Sequence, residues 1–318
     1  MSHEDSQALL GDRRPEYGSR LPQAIAHRGL KDQFPENSIK AFESAVKAGV
    51  AALETDLHLS RDGVVMISHD ATLKRCFGVA GRIIDFDYAY LKTLRTLEAP
   101  HVPMSTLREV LELMCQPAVK DIWLLLDIKV DNDADDIIRL IGETLRAVGG
   151  SAEFWGRRVV LGCWTLAFIP LCERYLPGFP IAHIGFSIPY AREFLKIPDV
   201  SFNLFYAVLD GPKGEMFLRD AHAAGRNVYT WTVNDAQVMR WAIAHSIDSV
   251  CTDNPVKFLD VCDKYQDGQV EARTYRNIVE FMCYRFVAGL FSYLFRYRYG
   301  LKELESGKIH LASAVTRA

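Results

Sequence analysis

Eight short runs of apolar and β-branched residues punctuate the chain: QAIAH (23–27), AALETDLHL (51–59), DIWLLLDIK (121–129), RVVLGCW (158–164), PIAHIGF (180–186), SFNLFYAVL (201–209), NVYTWTV (227–233) and SIDSVCT (246–252). Their length suits strands. Most are separated by segments with apolar residues three or four apart: NSIKAFESAVKAG, MSTLREVLELM, DADDIIRLIGETLRAVG, GEMFLRDAHAAG, NDAQVMRWAIAH and NPVKFLDVCDKY. Several of these open on Asn, Asp or Ser and stop at Gly, the residues that cap helices. Strand and helix alternating in this way predict an α/β fold, a (β/α)8 TIM barrel over residues 21–265. Periodicity alone leaves a doubly wound open sheet as the alternative. The longest departure from the alternation, residues 70–103 after the second strand, is expected to form a small insertion capping the barrel mouth.

With 318 residues, 49% of them hydrophobic, the chain has material for one large core or two small ones. A formal net charge of -3 offers no overall basic field, which argues against nucleic acid as a partner. The seven cysteines show neither CxxC nor CxxH spacing. That pattern argues against a disulfide framework or a structural zinc site and for a reducing, intracellular compartment. Residues 1–20 lack the apolar core of a signal peptide, carry acidic residues that fit a transit peptide poorly, and are expected to be a flexible arm.

In such a barrel the reactive groups stand at the C-terminal ends of strands. His27 and Arg28 end the first run; Glu54 and Asp56 lie two apart near the end of the second and so share a side; His69 and Asp70 follow a short VVMI run; Asp127 and Lys129 share a face at the end of the third. Three carboxylates are costly to bring together without a cation, and oxygen ligands select Mg²⁺ or Ca²⁺ over zinc. Taken singly, each pair also reads as an ordinary feature, such as a salt bridge between Asp127 and Lys129. Their joint placement at successive strand ends favours a site. Two histidines beside a metal suit a base and an acid, and Arg28 and Lys129 suit phosphate, so the set points to phosphoester cleavage. His58 falls on the side of Glu54 and Asp56, while His101, His183, His222 and His245 read as structural.

The residues HRG with PENS (27–29, 35–38), ALETDLHLSRDGVVMISHD (52–70), LLLDIK (124–129), VYTWTVN (228–234) and CTDNP (251–255) resemble the glycerophosphodiester phosphodiesterase family. The resemblance spans roughly residues 22–262 and implies the same barrel with the same insertion. It implies His27 and His69 as the acid/base pair, Arg28 at the phosphate, Lys129 as the family's lysine on the third strand, and Glu54 and Asp56 as ligands of one divalent cation. Asp127 stands where the family usually carries Glu, and its shorter side chain leaves either direct or water-bridged contact with the metal. Glu36 reads equally as a helix N-terminal carboxylate or a site residue, and the first helix is capped by Asn37 or Ser38. Trp231 is placed against the glycerol carbons, with a packed core tryptophan as the competing reading.

Residues 266–318 form a tail whose segment 280–300, EFMCYRFVAGLFSYLFRYRYG, is rich in aromatic residues. As a helix it lines up Arg285, Gly289, Ser292 and Arg296 in one polar stripe. Its apolar stretch 281–295 would be about 22 Å long, short of a bilayer's roughly 30 Å hydrocarbon core. The expectation is a helix lying in the interface, with Arg285, Phe286, Phe291, Tyr293, Phe295 and Arg296 at the membrane. Packing under the barrel or a homo-oligomer seam is the alternative.

This tail makes the chain resemble the fungal phosphatidylglycerol-specific phospholipase C branch of the family. That likeness implies an anionic phospholipid substrate and peripheral or monotopic attachment to a mitochondrial, endoplasmic-reticulum or lipid-droplet surface. Cleavage of glycerophosphodiesters or lysophospholipids is the enzymatic alternative, and a catalytically idle adaptor that binds lipid head groups is the non-enzymatic one.

Overall fold

A computed structural model describes residues 21–265 together with Tyr284, Phe286, Val287, Gly289, Leu290, Tyr293 and Leu294. Among the described residues, nine strands lie in one sheet: β1 (Gln23–His27), β2 (Ala52–Leu59), β3 (Val65–Ile67), β4 (Trp123–Ile128), β5 (Val159–Cys163), β6 (Ile181–Gly185), β7 (Val200–Phe205), β8 (Val228–Trp231) and β9 (Ser249–Thr252). All pair in parallel except β3, which folds back antiparallel on β2. β1 pairs with both β2 and β9, so the other eight strands close into a ring. That closure rejects the open sheet and gives the expected TIM barrel.

Two apolar layers hold the ring. Inside it, Ile25, Ala52, Trp123, Leu125, Val160, Ala182, Tyr229 and Cys251 pack together. Outside it, the alternate strand residues, such as Leu53, Leu57, Leu124 and Leu126, meet helix residues such as Phe42, Ile138, Phe194 and Phe258. Strands buried on both faces explain why the apolar runs are nearly continuous.

The six helical patterns appear as helices Ile39–Lys47, Leu107–Met114, Ala134–Val148, Pro212–Ala223, Ala236–Ala244 and Pro255–Asp263. Ser38 is the cap of the first, its hydroxyl accepting from the Ala41 amide at 3.1 Å. Two further helices follow β5 and β6, Phe168–Tyr175 and Ile188–Leu195. They are hard to read because Pro170 and Pro189 sit near their starts, where the missing N–H costs nothing but the sequence looks broken. The run 201–209 also divides: β7 ends at Phe205 and Tyr206–Leu209 makes a helical turn. An unbroken apolar run carries no period that would separate the two.

Within 70–103, short helices Lys74–Phe77 and Tyr88–Leu91 and a tight turn at Ile83–Asp85 surround a small core of Leu73, Ile83, Leu91 and Leu94, closed by Met66 and Met104. The seven described tail residues are helical and exposed. Residues 1–20 and Arg285, Phe291, Phe295 and Arg296 lie outside the described residues. Among those described, no helix is long and apolar enough to cross a membrane.

Candidate active site

Period-two alternation carries the barrel interior up to a polar rim. Stepping two residues at a time from Ile25, Ala52, Leu125, Tyr229 and Cys251 reaches His27, then Glu54 and Asp56, Asp127, Trp231 and Asp253. The strand register then sets His27 beside Glu54 and Asp56 beside Asp127.

Glu54, Asp56 and Asp127 are all buried, and each offers an oxygen within 4.8 Å of the others. Burial pushes the Glu54 carboxyl well above the usual carboxylate range, and the charges of Asp56 and Asp127 push it further. Burial would raise Asp56 as well, but Lys129 and Arg28 outweigh it and hold Asp56 far below that range. Lys129 Nζ lies 2.6 Å from Asp56 Oδ1 and 2.5 Å from Asp127 Oδ2, and Arg28 Nε lies 3.2 Å from Asp56 Oδ2. The salt bridge between Asp127 and Lys129 therefore exists inside the acid cluster, not in place of it. Three carboxylates facing two cations leave one formal negative charge, and the donors are all oxygen. This set fits a hard divalent cation.

The loop after β1 is shaped for this cluster. Arg28 and Asn37 adopt positive φ (59° and 55°), as does Gly29 (82°). Such backbone is costly for residues with side chains and collects at functional sites. Here it lets the Arg28 amide donate to Glu54 Oε2 at 3.0 Å and the Asn37 amide donate to the Arg28 carbonyl at 2.9 Å. A Cβ on Gly29 would stand 2.7 Å from Ala41, so the third residue of HRG is fixed by space as well as by φ. Asn37 Nδ2 donates to Asp56 Oδ2 at 2.8 Å, and Thr55 donates to Asn37 Oδ1 at 2.9 Å.

The two histidines share one design. His27 Nδ1 is 2.5 Å from Asp253 Oδ1, and His69 Nδ1 is 2.8 Å from Asp70 Oδ1. An aspartate on Nδ1 fixes the ring and leaves Nε2 to exchange a proton with a substrate. Burial lowers both imidazoles from their ordinary value, and the neighbouring Asp opposes the drop. An imidazole held this way, with a carboxylate behind it, can take up or give a proton at Nε2.

Behind His69, Arg75 from the insertion binds Asp70 (2.7 and 3.1 Å) and Glu36 (2.7 and 2.9 Å), and Glu36 in turn accepts from Arg28 Nη1 at 3.2 Å. Glu36 is thus joined to Arg28 and Arg75 at the edge of the acid cluster. His58 Nε2 lies 3.3 Å from the His69 carbonyl and its Nδ1 3.4 Å from Asp131, so it supports the rim without reaching the acids. His183 is buried against Phe194, and His101, His222 and His245 bond to Thr96, Asp248 and Trp241 away from the site.

The far side of the mouth is aromatic. Trp231 donates to the Asn203 carbonyl at 3.0 Å, and its ring lies 5.8 Å from Trp164 and 5.4 Å from Phe205. Trp164 Nε1 donates to Asp127 Oδ1 at 2.6 Å, joining this wall to the acid cluster. Sequence reading assigned no role to Asp253, Arg75 or Trp164, and gave Asn37 only that of a candidate helix cap. Asp253 and Asn37 stood inside CTDNP and PENS, a usable signal, whereas Arg75 lies in an insertion without periodic cues.

The model of the glycerophosphoryl diester phosphodiesterase family matches residues 27–257. A glycerophosphodiester phosphodiesterase of Bacillus altitudinis is 36% identical over 247 residues, covering 74% of this chain and 96% of its own. Lysophospholipase D GDPD1 of Mus musculus is 27% identical over 301 residues, covering 81% and 91%. Among solved structures, a phosphodiesterase of Oleispira antarctica in complex with the product sn-glycerol-3-phosphate superposes with a TM-score of 0.66 at 25% identity, covering 77% of this chain and 98% of that one. A glycerophosphodiester phosphodiesterase of Parabacteroides distasonis gives a TM-score of 0.66 at 22% identity, covering 78% and 100%.

Proposed function

This chain belongs to the glycerophosphoryl diester phosphodiesterase family, and we propose that it acts as a phospholipase C on phosphatidylglycerol, releasing diacylglycerol and glycerol phosphate. The observation that carries the phosphodiesterase chemistry is the pair of aspartate-backed histidines, His27 and His69, at a buried acid cluster that also holds Arg28 and Lys129.

Glu54, Asp56 and Asp127 would hold the divalent cation, Mg²⁺ or Ca²⁺, which when bound neutralises charge on the phosphoryl oxygens and orients the attacking hydroxyl. The remaining work falls to the chain itself. Arg28 and Lys129 grip the phosphate. One imidazole Nε2 takes the proton of the head-group hydroxyl adjacent to the ester, and that oxygen bonds to phosphorus. As the bond from phosphorus to the diacylglycerol oxygen breaks, the other imidazole supplies the proton that oxygen needs. Water then opens the cyclic phosphate with the two histidines exchanging roles. The glycerol of phosphatidylglycerol supplies the neighbouring hydroxyl; choline and ethanolamine do not.

A lipid substrate is supported by exposed apolar residues of the tail, which follow Tyr284, a ring 6.3 Å from Phe205 and from Tyr206. Phe286, Val287, Leu290, Tyr293 and Leu294 are helical and 45–75% exposed, at spacings of three and four that put them on one face. Such a face suits a peripheral or monotopic membrane contact. A lipid substrate within the family is also what the name of the mouse relative states. That name favours the second reading, cleavage of a lysophospholipid or glycerophosphodiester, which uses the same residues with a hydroxyl of the lipid glycerol as nucleophile.

The test is phosphorus NMR of the full chain with mixed vesicles of phosphatidylglycerol, phosphatidylethanolamine and phosphatidylcholine, with Mg²⁺, Ca²⁺ or chelator. Loss of the phosphatidylglycerol signal with glycerol phosphate appearing, only with metal, is the expected result. Intact lipids alongside turnover of glycerophosphoglycerol or lysophosphatidylglycerol would move the substrate to the second reading. No turnover of any phosphodiester would leave the adaptor.

A further inference from the structure

We propose that the aromatic wall on the β5, β7 and β8 side of the mouth is an acyl-binding subsite, leading the acylated glycerol of the substrate from the phosphoryl site out to the exposed tail face. The inference rests on the lipid reading above and adds where the lipid lies.

The mouth has two unlike halves. β1, β2 and β4 end in His27, Glu54, Asp56, Asp127 and Lys129, whereas the ends of β5, β7 and β8 carry Trp164, Phe205 and Trp231. Trp164 begins the path at the acid cluster through its bond to Asp127. Ring centroids then step 5.8 Å to Trp231, 5.4 Å to Phe205 and 6.3 Å to Tyr284; Tyr206 lies beside the last step, 4.8 Å from Phe205 and 6.3 Å from Tyr284.

These rings are not simply core. Phe202 and Phe217, near them in sequence, are fully buried, but Trp164, Phe205, Tyr206 and Trp231 each keep part of their surface open. The indole N–H groups of Trp164 and Trp231 are committed to Asp127 and to the Asn203 carbonyl, so what these two rings leave open is largely carbon. A glycerol with free hydroxyls gains little from such a wall, while acyl chains gain from every ring they cover. With phosphate and head group held on the charged half, the leaving diacylglycerol is directed to the other half. Tyr284 joins that half to Phe286, Val287 and Leu290, where the chains would pass into a bilayer.

The experiment compares glycerophosphoglycerol, dihexanoyl phosphatidylglycerol kept below its micelle concentration, and long-chain phosphatidylglycerol vesicles, using wild type, Tyr284→Ala and Phe205→Leu. Monomeric dihexanoyl lipid has acyl chains but no bilayer, so it probes the wall without the interface. The expected result is a kcat/KM for dihexanoyl lipid at least tenfold above that for glycerophosphoglycerol in wild type, with the ratio cut about fivefold in each variant. Rapid vesicle cleavage with no gain from the short chains, or a ratio unchanged in both variants, would overturn the subsite and leave phospholipase activity standing. Absence of cleavage of either lipid, with glycerophosphoglycerol turned over, would overturn both readings together.

Discussion

Nδ1 of His27 lies 2.5 Å from Oδ1 of Asp253, a carboxylate 226 residues further along the chain. Asp253 is itself held by Asn234 Nδ2 at 2.7 Å and by Lys31 Nζ at 3.1 Å. Burial would raise its pKa, but the bond to His27 dominates with Lys31 and keeps it anionic, far below the usual carboxylate range. Replacing it by Asn keeps the shape and removes the charge that favours an imidazolium. We expect Asp253→Asn to lower kcat by roughly 10²-fold with a smaller change in KM, since the interaction matters most when His27 carries a proton. Because Asp253 raises the His27 pKa, its loss should move the His27 titration, followed by NMR, to lower pH. An unmoved titration with full activity would show that the pair only braces the fold.

How this pair escaped sequence reading shows what was legible. The barrel was readable because each strand is an apolar run and each following helix has its own period; the local positions of His27, Glu54, Asp56 and Asp127 followed from stepping by two along those runs. Closure was not readable, since it depends on β1 meeting β9, whose partners Ala26 and Thr252 are remote in sequence. That closure is what delivers Asp253 to His27. The Arg75 link was hidden for a different reason: the insertion builds its own small core, and no pattern in it points toward Glu36 or Asp70.

Glu54 is the acid that the cluster holds least willingly. Its folded pKa is raised, chiefly by burial. A carboxyl raised on folding costs stability that begins to be lost as pH climbs through the unfolded value near 4 and is lost in full above the folded one. In chelator at pH 7, Glu54→Gln should therefore be more stable than wild type, by about 1–2 kcal/mol. Saturating Mg²⁺ or Ca²⁺ should reverse the order, stabilising wild type by about 3 kcal/mol at a hundredfold excess over Kd and the variant far less. Thermal melts with and without cation check this without an activity assay, and equal cation-induced shifts in both proteins would remove Glu54 from the ligand set.

Arg75 is the insertion's grip on both catalytic flanks. Its bond holds the Asp70 carboxyl at about 2, with His69 adding to the effect. The sign follows from a folded pKa below the unfolded one: the contribution is present above about pH 4 and disappears as pH falls toward 2. Arg75 is half exposed, so solvent screening limits the stability loss in Arg75→Ala to about 1 kcal/mol. Activity should suffer more, about tenfold in kcat/KM, because Asp70 and Glu36 lose their shared anchor and His69 and Arg28 loosen together. A double-mutant cycle with Glu36→Gln should show strong coupling; additive losses would separate the two flanks.

His183 should govern acid stability without touching catalysis. It is fully buried, stacked on Phe194 at 3.9 Å, and burial drives its pKa down to about 3. Once unfolded, the imidazole takes up a proton below about pH 6.5 that the folded one refuses, so stability falls as pH drops from 6.5. Between pH 6.5 and 4 this amounts to about 3 kcal/mol. Denaturant unfolding across that range should show the slope in wild type and a flatter curve in His183→Gln, whose side chain cannot gain the charge. If both curves keep the same slope, another group sets the acid limit.

The last prediction concerns membrane contact. Phe286 and Tyr293 are 75% and 70% exposed and seven residues apart, hence two turns apart on one helical face with Leu290 between them. Replacing both rings by Ser removes apolar surface that water meets in the free protein, so the fold should lose little. If that surface enters a bilayer, each ring contributes about 1.5–3 kcal/mol when fully buried and less at partial depth. Partition of the double variant onto vesicles rich in phosphatidylglycerol should therefore fall by about 10- to 100-fold. Turnover of vesicle lipid should fall with it, while a water-soluble phosphodiester, which never meets the interface, should be cleaved at a rate set by the barrel. Co-sedimentation measured beside both assays separates the outcomes. Unchanged vesicle binding would assign the exposed face to something other than lipid, and equal loss on both substrates would instead assign these residues to support of the barrel.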